Sequence, residues 1–169
     1  MTEEQMRTEK SISVIIEIIA IILAIKIFSF LLAPLSWMVL KNQPCDIISL
    51  WKQWDVSNYI YIAKNGYTNV GEGRYFIVFM PLYPFLIRIS AFLIGNYEVS
   101  ALLISNLASL FAAFFLYRLA KLDYPHTTAL KSVFYFSIFP TSYFLIAGYT
   151  ESLFLLLAIG CFYYARKGD

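Results

Sequence analysis

Residues 12–40 read ISVIIEIIAIILAIKIFSFLLAPLSWMVL, and this stretch decides the class of protein. About 20 predominantly apolar residues suffice to cross a bilayer as a helix. This run is longer and holds two charges, Glu17 and Lys26. It is too long for a signal-peptide core, and no small-x-small cleavage site follows it, so it is expected to be a retained span. Pro34 should end or kink the helix near its far side. The whole chain agrees. Its 169 residues are 60% hydrophobic, 18% aromatic and 14% charged, against about 45–50% apolar and 25% charged in soluble domains. The expected fold is an all-α integral membrane protein.

Working outward, residues 41–75 are mixed and polar and cannot span. Apolar character returns at 76–94, but Pro81, Pro84 and Arg88 interrupt it, and the part after Pro84 makes only about three helical turns. It is expected to lie at the interface or to be re-entrant. Residues 99–117 form a clean span, followed by spans at about 131–147 and 151–165, joined by the tight AGYTES turn. Four spans plus surface helices result: a tail at 1–11, span 12–40, loop 41–98, span 99–117, loop 118–130, span 131–147, turn 148–151 and span 151–165.

Loop charge gives the orientation. With 76–94 on the surface, Arg7, Lys10, Arg118, Lys121, Lys131, Arg166 and Lys167 share one side, which should be the cytoplasm. If 76–94 spanned instead, the 118–131 loop and the basic tail would face outside, against that rule. Residues 41–98 and the AGYTES turn therefore belong together on the extracytoplasmic side. The net charge of +2 is too small to suggest nucleic acid as a partner. Cys45 and Cys161 should lie at different depths and form no disulfide. No His/Cys cluster suggests zinc, and His126, beside Pro125, is expected to be solvated.

Two acidic groups face the outer side from separate elements: Asp55, in WKQWDVSNYIYIAKNGY (51–67), and Glu151. At a water–lipid boundary one carboxylate can take a proton from an acceptor hydroxyl, while the other holds a metal, an acceptor or a partner side chain. Trp51, Trp54, Tyr59, Tyr61 and Tyr67 can stack on a sugar, with Tyr149 beside Glu151 as a further contact. Lys64, Arg74 and Arg88 can pair with a lipid-linked phosphate. Each has a plainer reading. Asp55 can cap a short helix with Asn58 at its third position. Glu151 can complement a helix dipole. The aromatics can form an interfacial belt, and Arg88 can snorkel. Lys26 falls mid-span, where a charge is a functional hypothesis by default. Glu17 is on the opposite face of that helix, so the two do not pair. Asn106 should face the bundle rather than lipid.

Three motifs then come in order: WDVSNYIYIAKNGY, FMPLYPFLIR and FPTSYFLIAGYTESLF. Together they resemble the start of the GPI mannosyltransferase family that adds the second mannose (the PIG-V type) and its bacterial and archaeal relatives, within the GT-C class of membrane glycosyltransferases. The resemblance covers about 50–165. It implies a polyprenyl- or dolichyl-phosphate sugar donor, a glycan or glycolipid acceptor, and an acidic base in the first extracytoplasmic loop. Asp55 matches the Trp-Asp motif and Glu151 the acidic residue of the Tyr-Thr/Ser-Glu-Ser motif. No cofactor is fixed, and a divalent metal is left open. The bilayer would be the plasma membrane in a prokaryote and the endoplasmic reticulum in a eukaryote. Members of that family are longer, so the chain is expected to be a fragment of such a fold. A non-enzymatic transporter subunit or lipid-binding assembly factor is the alternative. It would use the midplane groups Lys26 and Asn106.

Overall fold

The computed structural model describes residues 3–44 and 46–168; Cys45 lies outside them. Every regular element among the described residues is helical. The α-helices are α1 (Glu3–Lys41), α2 (Ile47–Trp51), α3 (Val56–Asn65), α4 (Leu82–Ile94), α5 (Tyr97–Ala120), α6 (His126–Ile138) and α7 (Glu151–Lys167). Two 3-10 segments, Glu72–Val78 and Pro140–Leu145, precede α4 and follow α6. By length and composition, Ile12–Lys41 and Tyr97–Ala120 can each cross a membrane. The segments Glu72–Val78 and Leu82–Ile94, bent 114° to each other, form a third candidate as a broken span or a re-entrant loop.

Local chemistry sets the boundaries. Helix α5 starts at Asn96, whose side chain accepts from the backbone N–H groups of Glu98 at 2.9 Å and Val99 at 3.1 Å, satisfying donors that a helix start leaves bare. Helix α4 tolerates Pro81 and Pro84 because they occupy its cap and first turn, where no intrahelical N–H is needed. It ends at Gly95, which takes the left-handed φ of 79° that glycine adopts without steric cost.

Helix α1 passes through Pro34 and runs to Lys41, so the proline does not end it. Helix α5 reaches Ala120 and α6 begins at His126, and the connection between them lies inside the expected loop at 118–130. The span expected at 131–147 is not one helix. It breaks at Phe139, where ψ is 142°, because the following Pro140 disfavours the helical conformation in the residue before it. Helix α6 is thus 13 residues long, about 20 Å, and α7 has 17.

Helix α5 is the hub, packing on α7 most extensively, then on α4 and α6. Its buried stripe is small: Ala101, Ser105, Ala108, Ser109, Ala112 and Ala113. Small side chains let helix backbones approach closely where lipid removes the hydrophobic drive for association. Two separate cores result. One joins Ile18 and Ile22 of α1 to Ala113, Tyr117, Ala129 and Val133. The other gathers Trp51, Val56, Tyr59, Ile60, Tyr83, Ile87, Ala101, Ile146 and Tyr149.

Polar ties close the first core. His126 stays partly exposed, and it also bridges α1 and α5, 3.0 Å from Glu17 Oε2 and 2.8 Å from Tyr117 Oη. Arg166 makes a two-pronged ion pair with Asp123, at 2.5 and 2.9 Å, and holds the carboxyl of Asp123 below its usual range. Asn106 faces the bundle as expected. Its side-chain oxygen accepts from Lys26 at 2.6 Å, and its amide donates to Ile146 O at 2.7 Å.

Candidate active site

The second core brings together two stretches about ninety positions apart, residues 50–59 and 143–151. Tyrosine hydroxyls stitch them. Tyr143 donates to Leu50 O at 3.1 Å, Tyr149 donates to Gln53 O at 2.7 Å, and Tyr59 Oη lies 3.3 Å from Thr150 Oγ1. The Trp51 ring stacks on Tyr143 at 5.5 Å. Gly148 lies where the stretches meet. A Cβ there would sit 3.1 Å from both Ala101 Cβ and Val56 Cγ1, tighter than ordinary van der Waals contact.

Asp55 stands at this junction, just before α3. It occupies the cap position, but its side chain makes no capping bond, and its backbone is already helical at φ −72° and ψ −11°. The capping reading is therefore corrected. The carboxylate is exposed and accepts only from Asn58 Nδ2, at 3.3 Å, among the described residues. The preceding Trp54 has φ 46°, a left-handed conformation that is a genuine outlier for a bulky residue. Strain of this kind clusters at functional positions, where the surroundings hold it in place. The surroundings here are aromatic: the largely exposed Trp54 ring (71%) lies 6.0–6.5 Å from Tyr143, Phe144 and Tyr149.

Glu151 opens α7, half-buried, and its Oε2 is buried without a hydrogen-bond partner among the described residues. It borders two apolar clefts. One, of about 540 Å³, is lined by Tyr59, Phe79, Tyr83 and Leu157. The other, of about 690 Å³, is lined by Leu116, Tyr135, Phe144 and Leu155. The negative potentials of Asp55 and Glu151 overlap. Both carboxylates add to the desolvation that raises the Tyr59 and Tyr149 phenols above their usual range. Those phenols stay neutral at physiological pH and can donate hydrogen bonds.

Of the residues singled out in the sequence, the structure brings Trp54, Asp55, Tyr59, Tyr149 and Glu151 together. Tyr67 is one step removed: its hydroxyl donates to Phe79 O at 2.6 Å, and the Phe79 ring packs on Tyr59 at 4.9 Å. The basic candidates are not gathered there. Arg74 folds over its neighbour Tyr75, 4.6 Å from the ring centre, and Lys64 lies over Tyr97 at 5.3 Å. Arg88 is exposed on α4. Sequence reasoning missed Thr150, Tyr83, Tyr143 and Phe144. A signal existed for Tyr83, because a tyrosine in an apolar run needs a partner for its hydroxyl. It finds Ser105 Oγ at 2.7 Å and donates to Ala101 O at 3.1 Å. Among the described residues no three His, Cys, Asp or Glu side chains gather as metal ligands.

Fold and site together define an all-helical membrane protein with an acidic, aromatic-walled site. A family model described as dolichyl-phosphate-mannose-protein mannosyltransferase matches residues 80–167. That is just over half of the chain, and the chain belongs to this family of membrane glycosyltransferases. The matched segment contains Glu151 and stops short of Asp55. No curated protein and no solved structure matches the chain.

Proposed function

We propose that the protein acts as an inverting mannosyltransferase of the GT-C class, moving mannose from a polyprenyl- or dolichyl-phosphate carrier to a glycan or lipid acceptor. The observation that carries this reading is the freedom of Asp55. It sits at a helix start without capping it, beside a strained tryptophan and opposite a half-buried glutamate. In the reaction Asp55 accepts the proton of an acceptor hydroxyl as that oxygen bonds to the anomeric carbon. The bond from that carbon to the carrier phosphate breaks, its electron pair leaves with the phosphate, and configuration inverts. Phosphate is already a good leaving group, so positioning and charge stabilisation contribute more than acid catalysis.

The other residues have supporting roles. Trp54 and Tyr149 supply a stacking wall for the sugar. Tyr59 and Glu151 orient hydroxyls at the mouth of the 540 Å³ cleft, and Tyr67 extends that wall. Arg88, with no ion pair or hydrogen bond among the described residues, is free to meet the donor phosphate; Arg74 would first have to leave Tyr75. The outer placement of the site is part of the proposal. The ties Glu17–His126 and Asp123–Arg166 gather one end of the bundle, which is the end that carries the basic loop and tail. The motif resemblance points to a glycolipid acceptor, whereas the family description names protein mannosyltransferases. The transporter alternative would have to use Lys26 and Asn106 after breaking the bond between them.

The test uses the protein in proteoliposomes with radiolabelled mannose donors. Transfer from polyprenyl-phosphate mannose, and none from a nucleotide-linked mannose, is the expected result. Transfer from the nucleotide donor alone, or from neither donor, would remove the reading. Glycolipid and peptide acceptors, offered in parallel, decide between the two acceptor classes.

A further inference from the structure

The chain leaves regular helix between α6 and α7, and it does so beside the centre of the apolar stretch of α1. Backbone carbonyls released in a bilayer must be satisfied from within the protein. Four side chains do this here. Leu145 O accepts from Lys26 Nζ at 3.1 Å and from Ser152 Oγ at 3.3 Å. Ile146 O accepts from Asn106 Nδ2 at 2.7 Å, and Tyr149 O from Ser105 Oγ at 2.7 Å. Lys26 also donates to Asn106 Oδ1 at 2.6 Å, so its ammonium fixes both the turn and the amide that holds the next carbonyl. Among these four, only Lys26 comes from α1. Without it, Leu145 O keeps just the longer bond from Ser152, and Asn106 Oδ1 loses its bond from Lys26. Within the turn, the N–H groups of Ile146 and Ala147 bond to Tyr143 O at 3.0 and 2.9 Å, and those bonds would report any loosening.

We propose that Lys26 is a positioning residue, whose ammonium anchors Leu145 and Asn106 and thereby holds the turn that keeps Tyr149 and Glu151 near Asp55. The anchoring stands on geometry alone; its catalytic consequence rests on the function proposed above. A charge in the middle of a span is expensive, and this one is spent on backbone that the break at Phe139–Pro140 exposes.

The experiment compares wild type, Lys26→Met and Lys26→Arg in lipid nanodiscs, reading hydrogen–deuterium exchange and transfer kinetics. In Lys26→Met the amides of residues 146–149 should exchange about tenfold faster or more, as expected of local opening, while amides around Tyr117 and His126 stay protected. Its kcat should fall about tenfold while donor KM stays within about twofold, as expected when a transition-state contact is lost and ground-state binding is kept. Lys26→Arg keeps the donors and should restore both readouts. Unchanged exchange at 146–149 overturns the anchoring, and so does equal acceleration throughout α1 and α5, which marks a general scaffold role. Local loosening with wild-type turnover overturns the positioning role. If Lys26→Met does not accumulate, an Arg variant with 146–149 in fast exchange overturns the proposal on its own. A wild-type protein that transfers no mannose refutes the functional reading, and the exchange data still decide the anchoring.

Discussion

Trp54 and Asp55 show how much one dihedral can decide. An aspartate three residues before an asparagine at a helix start can be read, on sequence alone, as a cap or as a base. The structure separates the two readings, because the Asp55 backbone is already helical and its carboxylate makes no capping bond. A true cap replaced by alanine costs about 0.5–2 kcal/mol. Asp55→Ala is therefore expected to leave the thermal midpoint in detergent essentially unchanged, and a clear fall would restore the capping role. Gly148 is the opposite case. A methyl there would have to push Val56 and Ala101 aside by a few tenths of an ångström. Gly148→Ala is expected to cost about 1 kcal/mol, the low end of overpacking a core, read as a slightly lowered thermal midpoint. The importance of Gly148 was invisible in the sequence, because the neighbours that crowd it lie 47 and 92 positions away.

At the scale of elements, the long apolar helices were legible because hydropathy and length alone define them. The breaks were less so. The expected span at 131–147 is an apolar run of the right length, and Pro140 is the one local sign of a break within it. The steric effect of a proline on the preceding residue decided the outcome. The partners of His126 were not legible either. It looks solvent-facing beside Pro125 and stays partly exposed, yet Glu17 and Tyr117, on two other helices, also bond to it. Pairings between distant elements leave no local trace. The outer placement of their segments is what makes Trp54, Tyr59 and Tyr149 candidates in the sequence, whereas Tyr143 and Phe144 are hidden inside an apolar run. The α5 stripe carries its own prediction. Ala112 is fully buried on the helix that packs most extensively on α7. Ala112→Leu should cost about 1–3 kcal/mol through overpacking and lower the thermal midpoint. A neutral result would show that α5 is less tightly packed at Ala112 than the structure indicates.

For the whole molecule, the proposed account puts the basic groups and the acidic site at opposite ends of the bundle, so orientation and chemistry stand together. Impermeant thiol reagents in intact cells, with Cys161 replaced by serine, should label native Cys45 and leave a cysteine at Asp123→Cys unlabelled. Losing the exposed Asp123–Arg166 pair should matter little to folding. Equal labelling at both positions would return 76–94 to the spanning class. The most direct test of the central claim is the turnover of Asp55→Asn in proteoliposomes with polyprenyl-phosphate mannose. Asparagine keeps the shape of the side chain and removes the proton acceptor. The account predicts turnover lower by about 10²-fold or more, the scale of general base catalysis, with thermal stability unchanged. Near-normal turnover in that variant would contradict it and move the base elsewhere, with Glu151 next to be tested.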